Sequence, residues 1–408
     1  MANSRSRFET IRRLSPLAVV LFATGLVGCT EPTAAQSSEP IPFAQPTELA
    51  RAGDARRPSE RAELQRAAAD AIEVTPDATE TRELVFPQRW ESATEFPSSL
   101  RGGELRRWRR LAPEVEQIEV ESTVDGEREP ALFYDSGSER AKPLLVVLHS
   151  WSADHLQNIH IPYAQFAIEN DWVFVHPRFR GPNRRAEATL SETAVQDVLD
   201  AVDHAVATAN VDPSRIYLLG YSSGAMMSLV LAGRHPDRWA GVAAWVAVYD
   251  LAEWYREVAP KGSRYARDIV RACGGVPRPG SDAEEECRQR SPAGWLHHAA
   301  GRTPVLIAHG VGDRLASVEH ALDAYDALAA PEDRFTDEQI REITRRRRVT
   351  PALREALHDG DSPHFEASGT PVVLRRTSRG ATLVLFRGQH DMFYRPGLAW
   401  LNEQRRGG

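Results

Sequence analysis

Residues Leu218–Leu229 have the sequence LLGYSSGAMMSL, in which an apolar run leads into two adjacent serines between glycines. Within it, Gly220–Gly224 fits the pattern G-x-S-x-G, which places Ser222 rather than Ser223 at the centre. This pattern is typical of a sharp turn from a strand into a helix, where a strained serine projects above a sheet. Glycines on either side let such a turn close without Cβ collisions. The stretch therefore predicts a strand, a serine nucleophile and a helix, in that order.

Strands and helices alternate on both sides of this turn. The predicted strands are QIEVES (117–122), PALFYD (130–135), KPLLVVLHS (142–150), DWVFVHP (171–177), RIYLLG (215–220), WAGVAAWVAV (239–248), TPVLIAHG (303–310) and the hairpin PVVLRRTSRGATLVLFRG (371–388). Helices are predicted at about 155–169, at 190–209, from Ser223 onward, at 317–328 and near 396–404. Continuous apolar strands such as KPLLVVLHS are typical of a buried parallel sheet. The alternation predicts an α/β fold with a mostly parallel central sheet flanked by helices.

A serine hydroxyl becomes a useful nucleophile only beside a base that is itself oriented by an acid. Asp313 follows the predicted strand TPVLIAHG, and His390 follows the predicted strand ATLVLFRG. Successive strand ends thus deliver Ser222, Asp313 and His390 in the chain order that this kind of turn favours. We predict that His390 takes the Ser222 proton, while Asp313 holds the imidazole and stabilises its cation.

Each partner of the serine has an alternative interpretation. Asp313 could cap the helix that starts near Ala316, and His390 could be an ordinary surface loop residue. Asp250, which follows WAGVAAWVAVY, is a rival for the acid. Asp391 is adjacent to His390 in sequence, which is a poor position for orienting its ring.

An acyl-transfer site also needs two N–H groups that stabilise the developing oxyanion. The N–H of Ser223, at the positive end of the helix after the turn, is the first candidate. The second should come from the loop after LLVVLHS, and we predict Trp151 as its donor, although its side chain could equally form a pocket wall or a binding platform. Tyr221, beside the nucleophile, is a further candidate for contact with substrate.

The segments around these residues resemble the prolyl oligopeptidase-type branch of the α/β-hydrolases. The resemblance covers roughly 144–401 and rests on VDPSRIYLLGYSSGAMMSLVLAGRHPDRWAGVAAWVAVYDLAEWY, LIAHGVGDRLASVEHALDAY and FRGQHDMFYRPGLAWL. It implies an α/β-hydrolase fold and a Ser222–Asp313–His390 triad, with no metal and no organic cofactor. HPRFRGPN also resembles a family segment whose arginines line the pocket, which implies that Arg178 or Arg180 meets a substrate carboxylate.

The chain departs from prolyl oligopeptidase proper before its catalytic domain, where no propeller blade repeats are found. We therefore expect a serine hydrolase that cleaves peptide or ester bonds through an acyl-enzyme, without strict oligopeptidase specificity. One alternative is a carboxylesterase acting on polysaccharide-linked acyl groups or polyesters. The other is a catalytically inactive, hydrolase-like binding protein of the envelope, against which the three intact triad residues argue.

The first 29 residues have the features of an export signal. Four arginines among the first thirteen residues precede the apolar run Leu14–Val27, which is shorter than the ~20 residues that a membrane-spanning helix needs. The end of the run, LVGC, resembles the lipobox of bacterial lipoproteins, which implies cleavage before Cys29 and a lipid on its sulfur. A plain secretory signal with an incidental cysteine is the alternative. We expect an exported protein of the cell envelope whose membrane contact is a lipid anchor.

Export also decides how the other cysteines are interpreted. Outside the reduced cytosol, and with Cys29 lipidated, Cys273 and Cys287 are predicted to form a disulfide. Neither has a second cysteine or a histidine at metal-ligand spacing. The histidines lack an H-E-x-x-H frame, so we expect no metal site. The histidines concerned are His149, His155, His160, His297 and His298.

Composition divides the chain into five parts. These are a signal peptide (1–28), a flexible tether (29–58), a partly helical N-terminal extension (59–113), the catalytic domain (114–404) and, within it, a charged insertion (331–370). Trp90, Phe96 and Trp108 are the expected contacts of the extension. The basic run Arg345–Arg348 is expected to be a solvated helix face, with a patch for acidic polymer as the alternative. A formal charge of −7 argues against nucleic acid as partner. The oligomeric state is left open.

Overall fold

A nine-stranded sheet runs through the part of the chain that the computed structural model describes, which is residues 83–86, 89–97, 101–367, 369 and 371–407. The strands are β1 (Glu116–Glu121), β2 (Arg128–Tyr134), β3 (Lys142–Leu148), β4 (Val173–Pro177), β5 (Val211–Tyr221), β6 (Gly241–Trp245), β7 (Val305–Gly310), β8 (Val372–Ser378) and β9 (Ala381–Phe386). Their spatial order is β1-β2-β4-β3-β5-β6-β7-β9-β8. The six central strands in this spatial order, β4, β3, β5, β6, β7 and β9, are mutually parallel. Strands β1, β2 and β8 pair antiparallel with their neighbours.

The predicted fold class is confirmed, because helices cover both faces of this mostly parallel sheet. The helices are α1 (Leu105–Leu111), α2 (Ile161–Asn170), α3 (Glu192–Thr208), α4 (Ser223–Arg234), α5 (Leu251–Val258), α6 (Arg264–Ala272), α7 (Asp282–Gln289), α8 (Glu319–Leu328), α9 (Asp337–Arg346), α10 (Pro351–Leu357), α11 (Pro363–Glu366) and α12 (Tyr394–Asn402). The order of strands and helices, with a strand–turn–helix at Ser222, is that of the α/β-hydrolase fold.

Two apolar clusters lie on the two faces of the sheet. Strand β3 is buried along its whole length, and its side chains divide between the clusters. Leu144 and Val146 belong to one cluster, and Leu145 and Val147 belong to the other. This division follows from the alternation of side chains along a strand. Burial on both faces explains why the central strands have continuous apolar sequences rather than alternating ones.

Some boundaries differ from the predictions. Helix α2 begins at Ile161 rather than near 155, after a short 3-10 turn at Asn158–His160, because Pro162 is tolerated only in the first turn of a helix. Strand β5 begins at Val211, four residues earlier than predicted, since Val211 pairs with Lys142 across an irregularity in β3.

The N-terminal extension and the charged insertion both contain regular structure. Trp90, Phe96 and Trp108 are buried in the same cluster as Leu145 and Val147, so residues of the extension share a core with the sheet. All described residues lie within one compact unit, Thr81–Gly408. The insertion contains helices α9, α10 and α11.

The predicted signal peptide (1–28), the lipidation site Cys29, the tether (29–58) and the first part of the extension lie outside the described residues. No helix in the described part combines the length and the apolarity that crossing a membrane requires.

The segment between β6 and β7 contains the two remaining cysteines. Cys273 directly follows helix α6 as its C-cap and Cys287 lies in helix α7, and their sulfurs are bonded to each other. Both cysteines are buried in the same apolar cluster as Leu144 and Val146.

Candidate active site

The turn after β5 holds Ser222 in an unusual backbone conformation, with φ 58° and ψ −119°. The Ser222 N–H donates to the carbonyl oxygen of Trp245 at 2.9 Å, which ties the turn to the neighbouring strand β6. A Cβ on Gly220 would lie 2.2 Å from the carbonyl carbon of Gly224, and a Cβ on Gly224 would lie 2.0 Å from the carbonyl oxygen of Leu148. Only glycine fits at both positions, so the spacing of the motif follows from the closeness of the turn.

Three loops at the carboxyl edge of the sheet bring together Ser222, His390 and Asp313. The Ser222 hydroxyl lies 3.0 Å from Nε2 of His390. The other ring nitrogen, Nδ1, lies 2.6 Å from Oδ2 of Asp313. The second carboxylate oxygen of Asp313 accepts the backbone N–H groups of Leu315 and Ala316, at 2.8 and 3.2 Å. The role of Asp313 as a local cap, which the sequence left as an alternative, therefore coexists with its contact to His390.

The surroundings of Asp313 favour its ionised form. Burial by itself raises the pKa of Asp313, but hydrogen bonds from His309 and His390 and their charges outweigh it, so that the pKa lies well below its ordinary value of 3.8. A carboxylate that stays ionised can stabilise a charge that forms on the His390 ring.

His309 is a neighbour of Asp313 that the sequence analysis missed. Its Nε2 lies 3.4 Å from Oδ2 of Asp313 and 3.2 Å from the carbonyl oxygen of Ala316, and its side chain is fully buried. Its position as the penultimate residue of the buried strand β7, four residues before Asp313, was the signal available in the sequence.

Neither rival acid bonds to the His390 ring. Oδ1 of Asp250 accepts the N–H groups of Ala252 and Glu253 and so caps helix α5. Oδ1 of Asp391 accepts the backbone N–H groups of Met392 and of Thr94, both at 2.9 Å. Both carboxylates thus have local structural partners.

Two backbone N–H groups lie in the loops where oxyanion donors were expected. Ser223 is the first residue of α4, and Trp151 lies in the loop after β3. Within the described part of the chain, neither N–H donates to another residue. Ser150, which precedes Trp151, is held by Gln157, whose amide oxygen accepts the Ser150 N–H and whose amide nitrogen donates to the Ser150 hydroxyl, both at 2.8 Å. Gln157 was not found from the sequence, because nothing in its local pattern marks it.

The side chain of Trp151 is buried beside the candidate site. Its ring centroid lies 5.1 Å from that of Trp254 and 6.1 Å from that of Tyr265, in edge-to-face arrangements. Its indole nitrogen donates to Asp268 at 3.2 Å. Trp254 in turn donates to the carbonyl oxygen of Leu315, in the loop that carries Asp313. The indole therefore belongs to a buried aromatic cluster that contacts the Asp313 loop, and its roles as a pocket wall or a binding platform stay predictions.

The predicted substrate-contacting residues have different surroundings. Arg180 pairs with Asp197 at 2.6 Å and with Asp125 at 2.8 Å, so its charge is used within the fold and the expectation that it meets a substrate carboxylate is not supported. Arg178 is about one third exposed, with Glu129 at 3.7 Å as its ion-pair partner. The Tyr221 hydroxyl donates to the carbonyl oxygen of His390 at 3.1 Å, so Tyr221 supports the histidine loop.

The histidines after β3 and the histidine within β4 are packed inside the protein. His160 Nδ1 lies 2.9 Å from Nε2 of His176, whose Nδ1 donates to the carbonyl oxygen of His155 at 2.6 Å. Burial lowers the pKa of His160 to about 3 and that of His155 to about 4. Among the described residues no group of three or more His, Cys, Asp or Glu side chains could hold a metal ion.

Residues 164–341 match the model of the prolyl oligopeptidase family. The match begins within α2 and ends within α9, so it contains Ser222 and Asp313 and stops before His390. It spans less than half of the chain, and it agrees with the resemblance seen in the sequence.

Curated peptidases and esterases match parts of the chain. The acylamino-acid-releasing enzyme of Arabidopsis thaliana is 25% identical over 240 residues, covering 51% of this chain and 29% of its own length. NocK of Nocardia uniformis subsp. tsuyamanensis, provisionally assigned as an esterase, is 51% identical over 117 residues, covering 25% and 32%. Poly(3-hydroxyalkanoate) depolymerase C of Paucimonas lemoignei is 26% identical over 117 residues, covering 26% and 28%.

The matched stretches cover less than a third of the length of each of these three relatives. Taken with the family match, they support a serine hydrolase of the peptidase or esterase type.

Proposed function

We propose that the protein is a serine hydrolase that cleaves peptide or ester bonds through an acyl-enzyme on Ser222. The observation that carries the proposal is the hydrogen-bonded series from Ser222 through His390 to Asp313 at the end of a strand–turn–helix. A nucleophile, a base and an acid that orients the base are the parts that acyl transfer by serine requires.

In the proposed reaction, His390 Nε2 takes the proton of Ser222 as its Oγ bonds to the carbonyl carbon of the substrate. The oxygen of that carbonyl becomes an oxyanion, which accepts hydrogen bonds from the N–H groups of Ser223 and Trp151. The bond to the leaving group then breaks, and His390 returns its proton to the departing amine or alkoxide. Water, deprotonated by His390, attacks the acyl-enzyme and releases the acid and Ser222.

A carboxylesterase acting on polysaccharide-linked acyl groups or on polyesters is the second candidate. It is supported by the similarity to NocK and to the Paucimonas depolymerase. Both functions use the same triad, so the chemistry of the leaving group separates them. The third candidate is an inactive binding protein. It does not explain why Ser222, His390 and Asp313 lie at hydrogen-bond distance from one another in series.

We also propose that the protein is exported and anchored in the cell envelope by a lipid on Cys29. The support is the basic and apolar pattern before the LVGC sequence. Labelled palmitate should enter the wild-type protein and not the Cys29→Ala variant. Equal labelling of the two proteins, or none in either, would contradict the anchor.

Parallel assays on p-nitrophenyl acyl esters and on peptide p-nitroanilides test the reaction. We expect Ser222→Ala to lose at least about a thousandfold in kcat on the preferred substrate while its circular dichroism is unchanged. Ser214→Ala, at the opposite end of β5, is the matched control and should keep wild-type activity. Undiminished turnover by Ser222→Ala would contradict the proposal, and the ratio of ester to amide kcat/KM distinguishes esterase from peptidase.

A further inference from the structure

The part of the N-terminal extension that precedes the sheet lies against two loops of the candidate active site. We call residues 91–97 and 101–108 the strap. The first half contacts the loop that carries His390, and the second half contacts the loop that follows Trp151. Nothing in the proposed chemistry assigns a role to these residues.

The first half of the strap pairs with the residues directly after His390. The Ala93 N–H donates to the carbonyl oxygen of Met392 at 2.9 Å, and the Tyr394 N–H donates to the carbonyl oxygen of Glu91 at 3.0 Å. These two bonds form a short antiparallel bridge in which Ser92 lies opposite Phe393. Next to the bridge, the Thr94 N–H donates to Oδ1 of Asp391 at 2.9 Å. The residue adjacent to the catalytic base is thus fixed by the extension.

The second half of the strap holds the loop that leads to the oxyanion position. The carbonyl oxygen of Gly102 accepts the Asn158 N–H at 3.0 Å, and the indole of Trp108 donates to the carbonyl oxygen of Leu156 at 3.0 Å. Between these contacts lies Gln157, whose side chain fixes Ser150 through two hydrogen bonds. Since Ser150 precedes Trp151, the strap acts on the predicted oxyanion donor through one intervening side chain.

The two halves and the two loops are also joined to each other. Arg101 donates to the carbonyl oxygens of Thr94 at 2.6 Å and Phe96 at 3.0 Å, which connects the halves of the strap. The Tyr394 hydroxyl donates to the carbonyl oxygen of Ile159 at 2.9 Å, which connects the loops. Phe96 and Trp108 are fully buried, so the strap is packed into the core rather than laid over it.

The His390 loop depends on such contacts for its geometry. It connects the end of β9 at Phe386 to the start of α12 at Tyr394 and lies outside the named strands. Besides the strap, it is held by the Gly312 N–H, which donates to the carbonyl oxygen of Gly388 at 3.0 Å, and by the Tyr221 hydroxyl. A displacement of the base by about 1 Å can cost on the order of a hundredfold in rate, because the reacting atoms must meet at hydrogen-bond distance. A hydrogen bond one residue away from His390 is therefore well placed to control activity.

We propose that the strap is a positioning element, and that the hydrogen bond from Thr94 to Asp391 keeps His390 within reach of Ser222. Asp391 acts through the backbone of the loop rather than on the ring. This inference rests on the proposed function, since it assigns His390 the role of base.

Paired variants test this hydrogen bond. Because Oδ1 of Asp391 also accepts the backbone N–H of Met392 at 2.9 Å, only the Thr94 pair removes the bond to Thr94 alone. Thr94→Pro removes the donor and Thr94→Ala keeps it; Asp391→Ala removes the acceptor oxygen and Asp391→Asn keeps one while losing the same charge. We expect Thr94→Pro and Asp391→Ala to lose tenfold to a hundredfold in kcat with KM within twofold of wild type. Thr94→Ala and Asp391→Asn should stay within about threefold. The double variant Thr94→Pro/Asp391→Ala should lose no more than the worse single variant.

If the strap only stabilised the fold, kcat would fall in proportion to the fraction of folded protein in each variant. Near-normal kcat in Thr94→Ala and Asp391→Asn, together with low kcat in folded Thr94→Pro and Asp391→Ala, excludes that role. Equal kcat in Asp391→Ala and Asp391→Asn, or additive losses in the double variant, would overturn the inference. A second measurement is independent of turnover: the far-downfield proton resonance of His390 Nδ1 should weaken in Asp391→Ala and persist in Asp391→Asn. An inactive wild-type protein would contradict the proposed function. Independently of activity, equal resonances in the two variants would overturn the positioning role of the strap.

Discussion

At Ser222 the backbone adopts a positive φ that most residues avoid, at a cost of roughly 1–3 kcal/mol. Two other strand ends at the same edge of the sheet show the same feature. Arg180 follows β4 with φ 73°, and Val246 follows β6 with φ 49°, although a β-branched residue rarely takes that conformation. Strained residues thus occur at this edge of the sheet, where the candidate site lies, and the hydrogen bond from Ser222 to Trp245 helps to hold the turn.

The depressed pKa of Asp313 makes a prediction about stability and pH. Because the folded pKa lies below the unfolded value of 3.8, the carboxylate contributes stability that is fully present above that value and lost as pH falls toward the folded value. Asp313→Asn lacks this contribution. We therefore expect the difference in unfolding free energy between wild type and Asp313→Asn to shrink as pH falls below about 4. Urea unfolding followed by circular dichroism measures it, and a difference that does not change with pH would contradict the assignment.

Among the elements, the segment between β6 and β7 carries the aromatic rings that pack against Trp151, and it carries none of the three residues proposed as the triad. Helix α6 brings Tyr265 against Trp254, with ring centroids 5.1 Å apart, and α6 is followed by Cys273, which the disulfide joins to α7. The disulfide closes a loop between residues 14 positions apart, so it joins neighbouring parts of one segment. It stabilises the fold by restricting the conformations of the unfolded chain.

Removing the disulfide should lower the unfolding free energy more than it lowers kcat. For a loop of this length the loss is about 3 kcal/mol of unfolding free energy. The variant Cys273→Ser/Cys287→Ser should show it by urea unfolding, and reduced wild type should match the variant. Because Ser222, His390 and Asp313 lie on other elements, we expect KM to rise while kcat changes less than threefold. A variant as stable as the oxidised protein, or a loss confined to kcat, would contradict this role.

Elements also show how far the sequence could lead. The buried strands β3, β7 and β9 and the second half of β5 were predictable because each is an apolar run, and the three residues proposed as the triad were predicted from their positions after such runs. The contacts of His309 and Gln157 were not predictable, since both depend on which loops meet in space. The strap was missed for a similar reason: a bridge of a few residues has no periodicity that a sequence pattern could show.

At the scale of the whole molecule, the described residues form one sheet-centred unit in which the extension shares the core. The loops after β3, β5, β7 and β9 converge because these strands are parallel. They contribute, in that order, the Trp151 N–H, Ser222, Asp313 and His390. The strap crosses two of the four loops, so the arrangement of the site is a property of the unit and not of any single motif.

The most direct test of the account is whether Ser222 is an activated nucleophile. Folded wild-type protein should react with a fluorophosphonate probe at one site, and mass spectrometry of the digest should place the adduct on Ser222. His390→Ala, in which the serine keeps its backbone but loses its base, should react at least about a hundredfold more slowly. A folded protein that shows no adduct on Ser222, or that carries the adduct on another serine, would contradict the central claim.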